Sequence, residues 1–344
     1  MYFWDDDPLA GLPEIAPHPG RSGSQSSAAL SSLPPSPIIQ QNAVEVVSNV
    51  LSEYQPIHAS DDTAKVLRAF VDHLSGQGLS RLQSEIYDFA KNPPQLRQLR
   101  NFLVDAILKP MVAAGGKQPP VTPSPNQSAA FAIELAMTQI EGSTRNPGQK
   151  WLKEECLRRD ESRCVVSGLI DSKVYKDMSP GERRGNKYTS TKCAHILPFA
   201  LSKFEEKNAT QTKNKATTWC ALYNYFPALE NKIGADTIHQ PGNAITLDTK
   251  FHDELGQFNF GFQATDEEHK YRIEVLDEES YYTGQLPTVI TFAQHDARVP
   301  RPDPDVLDVH LRISRILKVT GIGHAVSEVS HRYKCLVKEL EEET

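Results

Sequence analysis

The chain has 344 residues, of which 39 % are hydrophobic, with 24 prolines, 37 Lys/Arg against 44 Asp/Glu and a formal net charge of −7. That length suffices for one sizeable domain with accessory regions, but the low apolar fraction implies that part of the chain stays unpacked. The acidic balance argues against a generic nucleic-acid coat, the lack of a long apolar run argues against a membrane-spanning helix, and five irregularly spaced cysteines argue against a secreted disulfide scaffold.

Residues 1–41 are rich in Pro, Ser and Gly and read as a disordered tail, with Tyr2-Phe3-Trp4 beside Asp5 to Asp7 as a docking peptide or an ordinary end. The start lacks the basic and apolar regions of a signal peptide, so an intracellular protein, cytoplasmic or nuclear, is expected, with no membrane contact. Residues 42–114 form a helical region. Val47, Val50 and Leu51, then Leu67, Phe70 and Leu74, then Leu82 and Ile86 recur at helical spacing, and Pro93-Pro94 precedes a further run. Four short helices there either bind a partner protein as a small bundle or extend the core structurally. Residues 115–147 read as a Pro/Gly linker with one helix over 129–140.

Residues 148–335 read as the main domain and 336–344 as an acidic tail. The domain opens with a helix over 148–159, continues through a basic loop over 171–190 and carries an insertion over 203–239. Charge is uneven: residues 150–250 hold 17 Lys/Arg against 12 Asp/Glu, a local balance of +5. Lys173, Lys176, Arg183, Arg184, Lys187, Lys192 and Lys203 are the candidates for phosphate contact in a nucleic-acid partner, a solvated basic loop being the plain alternative. In the insertion, Phe204, Trp219, Tyr223, Tyr225 and Phe226 interleave with Lys213 and Lys215; they either stack bases or anchor the segment, and anchoring is the expectation. Past the insertion, 258–262 and 271–275 alternate as an antiparallel pair, and 306–319 is an amphipathic helix.

Three residues in the middle of this domain carry chemistry. Lys192-Cys193-Ala194-His195-Ile196-Leu197-Pro198 reads as a short strand that presents His195 on the face of Cys193 and Leu197. Pro241-Gly242 is a turn pair, after which Asn243 leads into the strand Ala244-Ile245-Thr246-Leu247. Asp248 is an N-cap and Gly256 a stop for a helix of about two turns, on which His252 lies at i+4 from Asp248. Taken singly, these are a hydrogen-bonded histidine, a turn asparagine and a surface histidine. As an ordered set on two strands and a helix they suit phosphodiester hydrolysis. His195 is then the general base, Asn243 fixes the loop, and His252 with Asp248 holds a divalent cation (Mg²⁺, Mn²⁺ or Zn²⁺). The cysteines include no Cys-x-x-Cys pair for a structural zinc, and Cys164 and Cys193 are expected to face each other in the core.

From residue 163 to about 333 the chain resembles the fungal HNH endonuclease-like proteins. The matching pieces are Arg163-Cys164-Val165-Val166-Ser167-Gly168, Ala194-His195-Ile196-Leu197-Pro198, Gly242-Asn243-Ala244-Ile245-Thr246-Leu247 and His252-Asp253-Glu254-Leu255-Gly256-Gln257-Phe258. His269-Lys270-Tyr271-Arg272, Leu286-Pro287 and the block 302–317 with His310 follow in order. The resemblance implies an α+β fold. Its ββα-metal (HNH, His-Me finger) core would be extended by a β-hairpin and a C-terminal helix and preceded by the helical region. His195, Asn243 and His252 stand at the three name-giving positions. The implied activity is metal-dependent endonucleolytic cleavage of nucleic acid, DNA first. Ala194 departs from the acidic residue or second histidine that many relatives carry there, which leaves open a module that binds nucleic acid or protein without cutting.

Overall fold

A computed structural model describes residues 37–113, 120–126, 133–134, 137, 148–202 and 208–323, with side chains from residue 43 onward. The expectations for residues 1–36, most of 115–147, Lys203, Phe204, Cys335 and the acidic tail lie outside those residues. The chain separates into two units, Met1–Gln41 and Asn42–Thr344, and the packing below is that of the second. No helix among the described residues is long and apolar enough to cross a membrane.

Helices α1 (Pro37–Glu53), α2 (Thr63–His73), α3 (Gly76–Asp88) and α4 (Pro93–Leu103) take up the four apolar repeats, and α4 runs on through a π turn at Val104–Leu108. Local chemistry sets two of the starts. Asp61 Oδ1 accepts from the Thr63 N–H at 3.1 Å. Asn92 Oδ1 accepts from the Gln95 N–H at 3.3 Å, ahead of a proline that has no N–H to leave unpaired.

Helix α5 (Gln149–Arg159) leads into β1 (Ile170–Asp171), which pairs in parallel with β2 (Tyr188–Thr189). The basic segment between them is folded rather than a loop, as α6 (Ser172–Asp177) and α7 (Pro180–Arg183). Both are too short to persist unaided and are held by caps. Asp171 accepts from the Lys173 N–H at 2.9 Å, and Ser179 with Glu182 forms a reciprocal capping box. Strand β3 (Thr191–His195) follows, then the insertion, which is dominated by α8 (Ala209–Tyr225). Strand β4 (Ala244–Asp248) pairs antiparallel with β3, Thr191 opposite Asp248 at one end and His195 opposite Ala244 at the other. Helix α9 (Thr249–Gly256) folds back over β3. The expected antiparallel pair is β5 (Phe260–Ala264) with β6 (Lys270–Val275), joined by β7 (Val289–Thr291), and α10 (Pro304–Thr320) packs on β5.

The division at residues 114 and 148 does not separate two cores. α2 lies against α10, and α3 and the π turn lie against α8. One continuous hydrophobic cluster runs from Val47 through Leu103, Leu197 and Leu222 to Leu317. Gly78 permits the closest approach: a Cβ there would sit 2.0 Å from the Tyr225 carbonyl oxygen. Beside it the Tyr225 hydroxyl donates to Glu85 Oε2 at 2.6 Å. Trp219, Tyr225 and Phe226 are buried, so these insertion aromatics anchor the segment. The helical region is therefore part of the domain that carries β3 and β4.

Candidate active site

His195 ends β3, where Phe199 lies 5.8 Å away between ring centres and the chain turns into Pro198. Its Nε2 is 3.0 Å from Nδ1 of His239. The ring centres are 5.0 Å apart, so the two nitrogens lie close to the line joining them, as a hydrogen bond requires. One of the two donates and the other accepts. No described residue hydrogen-bonds Nδ1 of His195.

Asn243 sets that contact. It is 2 % exposed, accepts from the Leu197 N–H at 2.8 Å, and donates to the carbonyls of Leu197 and Ile238, each at 3.0 Å. Its own carbonyl accepts from the Ile196 N–H at 2.9 Å. The amide thus joins the backbone just beyond His195 to the residue just before His239.

A second clamp lies beneath. Arg159, fully buried at the end of α5, donates to Pro241 O at 2.8 Å, Pro300 O at 3.1 Å and Ala244 O at 2.9 Å, and to both carboxylate oxygens of Asp160 at 2.7 and 3.0 Å. All five guanidinium N–H groups are used. Asp160 in turn accepts from the Thr246 N–H at 3.1 Å. Two of the carbonyls held by Arg159 flank Asn243.

His252, on α9, is one-third exposed, and its Nδ1 is 2.9 Å from Asp253 Oδ1. Burial pushes Asp253 up, but the hydrogen bond to His252 and the Lys192 ammonium at 3.4 Å outweigh it and hold the carboxyl below its usual value. His195 is lowered to about 4, first by burial, then by the charges of His239 and His252. Burial also lowers His239. The pocket therefore favours neutral imidazoles.

Several expected residues have other duties. Asp248 accepts from the Phe251 N–H at 3.1 Å as the cap of α9. The strand register places it at the opposite end of the hairpin from His195, about 13 Å along at the usual rise per residue. Its Oδ2 is buried with no hydrogen-bond partner. Ala194 is 2 % exposed and belongs to the main hydrophobic cluster, so its side chain faces away from the site. Cys193 faces Cys156, with sulfurs 3.8 Å apart, rather than Cys164. Lys173, Lys176, Arg184 and Lys187 are exposed, Lys192 is paired with Asp253, and Arg183 donates to the carbonyls of Tyr175 and Lys176. No group of three or more His, Cys, Asp or Glu suited to a metal occurs among the described residues.

A family model described as HNH endonuclease matches residues 164–263. The matched span holds β3, β4 and α9 together with His195, His239, Asn243 and His252, and it supports nuclease action on nucleic acid. No curated protein and no solved structure matches the chain. Sequence reasoning missed His239 and Arg159 within or beside this matched span. His239 closes an insertion without periodic pattern, and Arg159-Asp160 looks like an ordinary charged helix end; only the long-range contacts give them roles.

Proposed function

We propose that this protein is a metal-dependent endonuclease that hydrolyses nucleic-acid phosphodiester bonds, DNA being the expected substrate, at a site built by His195, His239, Asn243 and His252. The contact of His195 Nε2 with His239 Nδ1 under the Asn243 clamp carries the reading. With the Nε2 proton of His195 donated to His239, the Nδ1 lone pair is left to take a proton from an attacking water. Burial keeps His195 neutral through the physiological range, so the base is ready before substrate arrives. The phosphate then supplies the negative charge that the new imidazolium lacks in the free protein.

The residues present fit a loosely held cation rather than a closed protein cage. Asp253 orients His252 through Nδ1, the arrangement by which a carboxylate fixes a ligating imidazole and leaves Nε2 to coordinate. Mg²⁺, Mn²⁺ or Zn²⁺ bound there would stabilise charge on the phosphate and the leaving oxygen, with water and substrate completing the shell. A second reading, an HNH module that binds without cutting, draws on the lack of a three-donor cluster among the described residues and on the inward-facing Ala194.

Incubating the full chain with supercoiled plasmid and single-stranded DNA across the three metals and a chelator separates the two. The expected result is cleavage with at least one metal, none with chelator, and a loss on the order of 10² to 10⁴ in rate for His195→Ala at unchanged DNA affinity. A wild-type protein inert under every metal would leave the binding module, and equal cutting by the variant would remove His195 as base.

A further inference from the structure

The excursion between β1 and β2 differs from the rest of the surface. Residues 172–189 carry five Lys/Arg against two Asp/Glu in a chain of net charge −7. Lys173, Lys176, Arg184 and Lys187 are exposed and have no ion-pair partner among the described residues. Elsewhere Arg158, Lys232 and Arg298 are ion-paired, while exposed Lys65, Lys91, Lys213 and Arg272 stand as single cations without an ion pair among the described residues, so it is the clustering of four within fifteen residues that sets the excursion apart. Of the two acids in the excursion, Glu182 is occupied by the capping box.

Amid these cations stands an aromatic pair. Tyr188 is 57 % exposed, and its ring centre lies 4.5 Å from that of Tyr175 with 30° between the planes. Arg183 sits 5.4 Å from the centre of the Tyr175 ring and donates to the Tyr175 and Lys176 carbonyls, bracing the Tyr175 member of the pair. The result is a held ring with most of its surface open and unpaired positive charge around it. β2 leads through Ser190 into β3, so Tyr188 and His195 are seven residues apart on nearly extended chain, at most about 23 Å. A short run of nucleotides spans that.

We propose that α6, α7 and β2 form a platform for single-stranded nucleic acid. An unpaired base stacks on Tyr188, while Lys173, Lys176, Arg184 and Lys187 take neighbouring phosphates and lead the strand toward His195. Stacking on an aromatic face requires a base out of its duplex, so the platform selects unpaired over paired strands. Its direction toward His195 rests on the nuclease reading; its binding does not.

Fluorescence anisotropy in chelator, with the full chain and labelled oligothymidylate, oligouridylate and a duplex of equal length, tests it without cleavage. Both single strands are expected to bind on the order of tenfold tighter than duplex. Tyr188→Ala should weaken single-strand binding by roughly tenfold and leave duplex binding alone, whereas Tyr188→Phe keeps the stacking face and the affinity. The combined variant Lys173→Ala, Lys176→Ala, Lys187→Ala should lower the slope of log affinity against log salt by about 2. Thermal melts control for folding, which an exposed Tyr188 does not govern. Equal binding of duplex and single strand, an unchanged Tyr188→Ala, or capture of acidic protein with no nucleic acid bound would each overturn the platform. His195→Ala run alongside keeps the readings apart: single-strand binding by a wild-type protein that cuts nothing would sink the nuclease and leave the platform standing.

Discussion

At the scale of single residues, the site is a pair of neutral imidazoles whose spacing is imposed by backbone clamps. In the proposed arrangement neutral His239 accepts the Nε2–H of His195, and in acid, once protonated itself, it adds its charge to burial in opposing protonation of His195, so the two effects separate by substitution. His239→Ala is expected to slow cleavage and, by removing that charge, to raise His195 toward its usual value and move the acid limb of kcat/KM to higher pH. His239→Gln, which can still offer a carbonyl oxygen to Nε2, should restore part of the rate. An unmoved pH profile in His239→Ala, with the fold intact, would reduce His239 to packing. Arg159 acts one step further out and through geometry alone. Truncating it leaves Asp160 buried without its cation, a loss of about 3–5 kcal/mol in buried pairs, so Arg159→Ala should melt far below wild type. Lysine cannot reproduce five directed donors, so Arg159→Lys should recover little of that loss in a chemical melt.

At the scale of elements, β3, β4, α9 and α10 were legible because each announces itself locally. Alternation at residues 192–197, the Pro-Gly turn before Asn243, the Asp248 cap and the apolar stripe of α10 are signals a few residues long. Helix α8 gave no such stripe: it buries Thr212, Lys215, Thr217 and Thr218 together with Trp219 and Leu222, and a helix enclosed on several sides has no amphipathic face to read. The short helices α6 and α7 escaped because they exist by their caps and by the hold of Arg183. The role of Asp248 was half legible. Its capping was visible in sequence, while its place at the far end of the hairpin from His195 is a register that only the folded hairpin reveals. Asp248→Ala should therefore lower stability by about 1 kcal/mol, the usual worth of an N-cap, and leave metal affinity by calorimetry unchanged. His252→Ala should do the reverse. Weakened metal binding in Asp248→Ala, with the helix content retained, would return the carboxylate to the site.

At the scale of the whole molecule, the helical region and the segment matched by the family model share a core, and α10 joins them through α2 on one side and β5 on another. No pattern within 42–114 or 148–335 could reveal this, since each range looks self-sufficient in its own periodicity. The shared helix also carries His310, fully buried, stacked 4.9 Å from Phe258 and lowered by burial to about 4. Folding thus suppresses protonation at both His310 and His195, whereas the unfolded chain takes up those protons near 6.5. The unfolded state binds more protons as pH falls, so stability is full above about 6.5 and declines as pH drops through about 4. Because α10 serves both halves, the loss should appear as one cooperative denaturant transition whose midpoint falls across that window, with helical and tyrosine signals moving together. His310→Phe keeps a ring against Phe258 and removes one of the suppressed protonations, so its midpoint should fall less steeply with acid. A variant that tracks wild type over the whole window would assign the acid sensitivity to the other lowered histidines, His73, His195 and His239.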